Sequence, residues 1–147
     1  MASLTNEVLD GVIAAIADEF DPIPVYDEQV EQGMPEPSFA VRSIHPRQAL
    51  FLNRRYKRTE LIEVVYFPPN EEGRKRNTNE VLEKLFSILE YIQAGKDTIR
   101  GTDMEAHMDD ENHVGVFTVN YKYFVDSTDD QEKPALTEIQ LKGVTLK

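Results

Sequence analysis

The chain is 147 residues long with a mass of 16.9 kDa, which is the size of one domain. It has no cysteine, which excludes a disulfide framework, a thiolate metal site and a cysteine nucleophile. Its 27 acidic residues exceed its 16 lysines and arginines and give a net charge of −11, which argues against general binding to DNA. The apolar runs are too short for a membrane span and the first residues lack the layout of a signal peptide, so we expect no membrane partner.

The charges are unevenly distributed along the chain. Residues 1–41 carry nine acidic residues and no lysine or arginine, whereas residues 42–58 carry six basic residues and no acidic one. This segregation predicts complementary surfaces, either inside the fold or between copies of the chain.

The first predicted element is an amphipathic helix over residues 3–20. Ser3 or Thr5 can cap its start, and Asp21-Pro22 ends it because the residue before a proline resists helical geometry. Its apolar stripe, at three- and four-residue spacing, consists of Leu4, Val8, Val12, Ile16 and Phe20. A short strand is predicted over residues 23–26.

Residues 27–37 are almost entirely polar and contain two prolines. We expect an ordered, extended loop or arm that lies against a partner. Two strands follow, Ser38–Ile44 and Gln48–Arg55, and they are predicted to pair as a hairpin around the turn His45-Pro46.

Thr59–Phe67 has apolar residues on both faces and is predicted to be a central strand covered on both sides. After a polar loop, Asn77 and Glu80 have the spacing of a capping box, which predicts the start of a second amphipathic helix. Its apolar face extends to Ile92, and Gly95 is expected to be its C-terminal cap.

Residues 98–108 and 114–125 are predicted to be strands joined by a turn, and residues 127–147 to be a flexible acidic turn followed by a terminal strand. This order of elements predicts an α+β fold, a mostly antiparallel β-sheet with two amphipathic helices packed on one face. No repeat or linker divides the sequence, so we expect a single domain over residues 1–147.

Asp103, Glu105 and His107 share one face of a predicted strand, with Asp109 close by. Such oxygen and imidazole ligands can hold a divalent metal. The solvated face of an antiparallel strand explains the same pattern equally well. The lysine that usually follows an acidic residue on the strand of a metal-dependent nuclease is absent.

No other arrangement of residues indicates chemistry. The three histidines lack the spacing of metal ligands, no serine lies in a Gly-x-Ser-x-Gly motif, and the seven glycines are scattered. We therefore expect no catalysis, no cofactor and no metal.

The basic stretch over residues 42–58 has two interpretations. It is either a nucleic-acid patch, with Phe51 and Tyr56 as stacking aromatics, or a surface that pairs with the acidic residues of another segment or copy. The net charge of −11 favours protein contacts.

Several short segments, taken in order and with their spacing, form a recognisable pattern over most of residues 8–125. They are Phe20–Tyr26, Glu31-Gln32-Gly33, Pro35–Phe39, Asn53–Tyr56, Tyr66–Pro68, Arg100–Met104 and Val119–Tyr121. This pattern resembles the small tail terminator (tail-completion) proteins of siphophages and prophages of Firmicutes.

The resemblance implies a structural protein of the virion, assembled in the cytoplasm of a bacterial host. Such proteins form a ring, typically a hexamer, that caps the head-proximal end of the tail tube and stops addition of the tail-tube protein. The ring also presents a surface to the head-completion or neck protein, and DNA passes through it without specific binding.

A closed ring needs contacts between two different patches of each subunit. We expect the acidic arm 27–37 and the basic hairpin 47–58 to meet at this interface. The interface residues expected are Asp27, Glu28, Glu31 and Glu36 on one side and Arg47, Arg54, Arg55 and Arg58 on the other.

Three alternatives to a terminator stay open at this point. One is a head–tail joining or neck protein, which has a similar size and also forms rings. Another is a metal-dependent nuclease or hydrolase that uses Asp103, Glu105 and His107. The third is a DNA-binding module built on the basic patch.

Overall fold

The computed structural model describes residues 3–28 and 33–126. These residues form two helices and seven strands. In chain order the elements are α1 (Leu4–Phe20), β1 (Val25–Tyr26), β2 (Ser38–Ser43), β3 (Arg47–Leu52), β4 (Arg55–Phe67), α2 (Arg74–Ile88), β5 (Tyr91–Ala94), β6 (Asp97–Asp109) and β7 (Val114–Asp126). The predicted α+β fold is confirmed.

The chain divides into two compact units. The larger unit comprises residues 1–48 and 58–123 and contains both helices, and the smaller comprises residues 49–57 and 124–147. Of the smaller unit, the structure describes residues 49–57 and 124–126. The turn and terminal strand predicted for residues 127–147 lie outside the described residues.

Helix α1 agrees with its prediction at both ends. The hydroxyl of Ser3 accepts a hydrogen bond from the backbone N–H of Asn6 at 3.2 Å, and the helix ends before the peptide bond Asp21-Pro22. Val8, Val12 and Ile16 are fully buried in the core. The helical spacing of these three residues therefore sets which face of α1 packs on the sheet.

The strands form one sheet in the order β1-β2-β4-β7-β6-β5, with β3 paired to β4. Strand β1 is parallel to β2, whereas β2 is antiparallel to β4 and β6 is antiparallel to both β5 and β7. The expected mostly antiparallel sheet is thus present in the described residues.

The predicted pairing of β2 with β3 is wrong. The register of β2 with β4, in which Phe39 faces Tyr66 and Val41 faces Val64, places the four side chains in the core. Strand β3 pairs with β4 instead, because the tight connection at Asn53 adopts the left-handed conformation (φ 53°) that short hairpin turns require. His45-Pro46 consequently links two strands that are not paired with each other.

Strand β4 is central, as predicted, but it is not covered equally on its two faces. Ile62, Val64 and Tyr66 are fully buried, whereas Leu61 and Val65 on the opposite face are only partly buried. One core cluster contains the buried face of β4 together with residues of both helices. Both helices therefore cover the same face of the sheet, and no helix among the described residues packs on the other face.

Helix α2 begins and ends about one turn before its predicted bounds. Gly73, at φ 87°, precedes its first turn, and the helix ends at Ile88. Asn77 does not cap the helix, since its side-chain oxygen accepts a hydrogen bond from the hydroxyl of Tyr66 at 2.6 Å. Ile92 lies in β5, where it is buried and faces Ile99 of β6. It therefore belongs to a strand, although its spacing continues the apolar pattern of the helix.

Strands β6 and β7 form the hairpin that the sequence predicts. Asp103 interrupts their pairing at a bulge and has a φ of 51°. In the turn, the carboxylate of Asp109 accepts hydrogen bonds from the backbone N–H groups of Glu111 and Asn112 and from the side-chain amide of Asn112. The Asn112 contacts are the main reason why the pKa of Asp109 lies below its usual range.

Candidate functional site

The expected acidic side of the interface follows β1. Asp27 and Glu28 are exposed directly after this strand, and Glu36 is exposed shortly before β2. Glu31 lies outside the described residues. Because β1 is at the end of the strand order, these acidic residues lie next to an edge of the sheet in the chain.

Two of the expected basic residues belong to the larger unit, and they have different surroundings. Arg47 is exposed at the start of β3 and has no ion-pair partner among the described residues. The side chain of Arg58 is only 21% exposed, and its Nε lies 3.3 Å from Oε2 of Glu60. Its guanidinium also donates hydrogen bonds to Gln48 Oε1 and Thr5 Oγ1.

The other two, Arg54 and Arg55, belong to the smaller unit. Arg54 is exposed in the connection between β3 and β4. Arg55 lies 3.5 Å from the carboxylate of Asp126 and stacks over the ring of Phe124, with its guanidinium carbon 5.0 Å from the ring centroid. These contacts hold Arg55 against the end of β7.

The structure does not join the two charged segments of the larger unit within one chain. Among the described residues, no ion pair links Asp27, Glu28 or Glu36 to Arg47 or Arg58. The expected interface between copies stays a prediction.

Strand β3 carries a surface that the charge pattern did not single out. All six of its residues are exposed, and Leu50, Phe51 and Leu52 are 63%, 56% and 61% exposed. Phe51 packs on Phe124 with ring centroids 4.9 Å apart. The signal was present in the sequence, because a run of apolar residues without alternation, as in Ala49–Leu52, makes both faces of a strand apolar.

Glu60 is the most unusual charged residue among those described. It has no exposed surface, and its Oε2 accepts hydrogen bonds from Thr5 Oγ1 at 3.0 Å and from the hydroxyl of Tyr123 at 3.1 Å. Its Oε1 has no hydrogen-bond partner within residues 3–28 and 33–126. Burial, and after it the charge of Glu60, raise the pKa of Tyr123 far above its usual value. This cluster joins α1, β4 and β7.

The acidic residues of β6 do not converge on a common point. Asp103 pairs with Lys122 at 3.1 Å, and Glu105 and His107 are exposed. Within residues 3–28 and 33–126, no group of three or more histidine, aspartate or glutamate side chains is placed to hold a metal ion. No helix in this part of the chain is long and apolar enough to cross a membrane.

A family model and a solved structure each match most of the chain. The family model described as phage tail terminator protein matches residues 7–133. No curated protein matches the sequence. One solved structure aligns with 80% of this chain and 93% of its own length, at 17% sequence identity and a TM-score of 0.46.

Proposed function

Since the chain belongs to the phage tail terminator family and is thus a structural component of a phage tail, we propose that it forms the ring that ends the tail tube. The ring caps the head-proximal end of the tube and prevents further addition of tail-tube protein. Its opposite surface receives the head-completion or neck protein. The protein therefore acts in the virion by binding other proteins, and it transforms no substrate.

The family match over residues 7–133 carries this proposal, and the subunit has physical properties that suit it. Strands β1 and β3 are each paired on one side only among the described strands, so each offers an edge to a neighbour. The two edges have opposite charge, because acidic residues follow β1 and basic residues surround β3. A ring needs two different, complementary patches of this kind on each subunit.

A net charge of −11 suits a ring through which DNA passes. Tight binding to DNA depends on lysines and arginines that neutralise phosphates, and an acidic protein holds phosphates weakly. DNA consequently moves through the opening without specific contacts to this protein.

We place the subunit contact between the acidic arm 27–37 of one copy and the basic hairpin 47–58 of the next, in a ring of six copies. Asp27 and Glu28 are exposed on the first surface and Arg47 and Arg54 on the second. Arg58 forms an ion pair with Glu60 of its own subunit, so its role in this contact is to stabilise the basic hairpin.

The decisive experiment compares tails assembled with and without the protein by negative-stain electron microscopy. Tails of excessive and variable length in its absence are expected. Tails of normal length that lack only heads would contradict termination and assign the protein to head joining. Addition of purified protein to the long tails is expected to make them competent for head attachment without shortening them.

A further inference from the structure

We propose that strand β3 of one copy binds the β1 edge of the next copy, with Leu50 and Leu52 at the centre of the contact. The inference rests on the proposed function, because it identifies the surfaces through which neighbouring subunits of the ring meet. It differs from a purely ionic contact, since most of the binding free energy would come from apolar side chains.

All six residues of strand β3 are exposed. Successive side chains alternate between the faces of a strand, so Leu50 and Leu52 share one face and Phe51 lies on the other. Phe51 packs on Phe124, whereas the two leucines remain 63% and 61% exposed. Two exposed leucines on the same face of an edge strand form an apolar surface that promotes association and that native proteins usually cover.

The segment that carries this apolar surface is strongly basic. Residues 42–58 contain six basic residues and no acidic one. Arg47 and Lys57 are exposed, and neither has an ion-pair partner among the described residues. An apolar centre with a basic rim is complementary to a surface that has apolar side chains and an acidic rim.

The chain itself carries such a surface at β1. Val25 and Ile23 are partly buried there, and the exposed acidic residues Asp21, Asp27 and Glu28 surround them. Residues 127–147 fit less well as the occupant, since their four acidic residues and three lysines nearly cancel. Charge complementarity therefore favours a second copy, bound through two different edges as a ring requires.

Cysteine cross-linking tests the contact directly, because the natural chain has no cysteine. The full chain with Ala49→Cys and Asp27→Cys, incorporated into tails, is treated with a bifunctional maleimide. A ladder of chain multiples is expected, beginning at about twice the 16.9 kDa of one chain. Each single variant should give no ladder, and neither should the matched pair Ala49→Cys with Thr98→Cys, since Thr98 is exposed on β6.

Every other cross-linking product contradicts the proposal. A single chain with an internal cross-link would mean that β3 meets the β1 edge of its own copy. A product with another virion protein would mean that β3 binds that protein, and no product at all would exclude proximity of the two edges. The tail-length experiment is independent, because a ladder together with normal tails in the absence of the protein would retain this contact and reject termination.

The contribution of the leucines is tested by Leu50→Asp combined with Leu52→Asp. Since both side chains are exposed, the variant is expected to keep its folded far-ultraviolet circular dichroism while its affinity for a second copy falls at least about 100-fold. Tyr91→Asp on β5 is the matched control, because Tyr91 is 56% exposed, and its ladder should be unchanged. An unchanged ladder in the double leucine variant would refute the apolar centre.

Discussion

The hydroxyl of Tyr123 donates a hydrogen bond to Oε2 of Glu60 at 3.1 Å, and this carboxylate has no exposed surface. Thr5 and Arg58 contact the same oxygen. A buried carboxylate is tolerated only where it is paired and hydrogen-bonded, and these three groups together provide that pairing for Glu60. The contacts tie the start of α1 to β4 and β7.

Removal of this carboxylate should destabilise the protein strongly. Glu60→Ala is expected to lower the free energy of unfolding by about 3 kcal/mol, because it leaves the partly buried Arg58 and two hydroxyl groups without their acceptor. Glu60→Gln keeps an acceptor oxygen and should lower it by about 1–2 kcal/mol. Urea denaturation followed by circular dichroism measures both values, and equal stabilities of the two variants would contradict this account.

Tyr123 should make the protein sensitive to alkaline pH. A tyrosine in the unfolded chain ionises near pH 10, whereas burial and the charge of Glu60 raise the pKa of Tyr123 in the folded state. The folded protein thus retains a proton that the unfolded chain loses, and stability falls as the pH rises above about 10. Tyr121 adds to this loss, because burial raises its pKa as well.

Tyr123→Phe removes the hydroxyl, which contributes to stability through its hydrogen bond to Glu60 and to the pH dependence through its ionisation. At pH 7 the variant should be about 1 kcal/mol less stable, since the hydrogen bond to Glu60 is lost. Above pH 10 its stability should fall less steeply than that of the parent protein. Denaturation midpoints at pH 7, 9 and 10.5 test this, and parallel curves for variant and parent would show that Tyr123 does not carry the dependence.

Gly11 allows α1 to approach β5 closely. A Cβ atom at this position would collide with the backbone carbonyl of Gln93, which cannot move aside as a side chain can. We expect Gly11→Ala to lower the free energy of unfolding by about 2 kcal/mol, although alanine favours a helix by about 1 kcal/mol over glycine. Thermal unfolding measures the change.

The control for this prediction is the exposed Ala17 on the same helix. Ala17→Gly should lower the free energy of unfolding by about 1 kcal/mol, as helix propensity alone requires. If Gly11→Ala stabilised the protein instead, the close packing of α1 on β5 would be disproved.

The charged rim of the proposed interface should respond to charge reversal. Arg47→Glu is expected to weaken assembly about tenfold at low salt, and Asp27→Arg in the same chain should restore most of it. Sedimentation velocity at two salt concentrations measures both effects. Failure of the double variant to recover would reject direct pairing of these two residues while leaving the apolar contact untouched.

The pair Glu31→Arg with Arg55→Glu is a second test of the arm and the hairpin, but its single variants are harder to interpret. Arg55 contacts Asp126 and Phe124 in its own chain. Arg55→Glu therefore disturbs the smaller unit as well as any contact with a neighbour. Arg47 has no such partner among the described residues, which makes it the cleaner position.

Several features of the fold could be predicted because they depend on neighbouring residues. The spacing of Val8, Val12 and Ile16 predicts the buried face of α1, and Asp21-Pro22 predicts its end. The second helix shows where this fails, since Ile92 continues its apolar spacing but belongs to β5. Periodicity alone cannot separate a last helical turn from a short buried strand.

Strand partners and the environment of charged residues could not be predicted in this way. The sequence groups Arg58 with the other arginines of the expected interface and does not indicate its contact with Glu60, a carboxylate that Tyr123, 63 residues further along the chain, also contacts. The same holds for β2, whose partner is β4 and not the next strand along the chain. In both cases the contact depends on which distant parts of the chain are buried together in the fold.

The sequence by itself determined the family, the α+β class and the separation of acidic from basic segments, because order, spacing and charge are properties of the chain. Only the tertiary structure decided that β3 is an exposed edge strand and that Glu60 is buried beneath α1. Both features depend on which distant strands pair and on which face of the sheet the helices cover. Pairing and coverage are in turn determined by the burial of residues that are far apart in the chain.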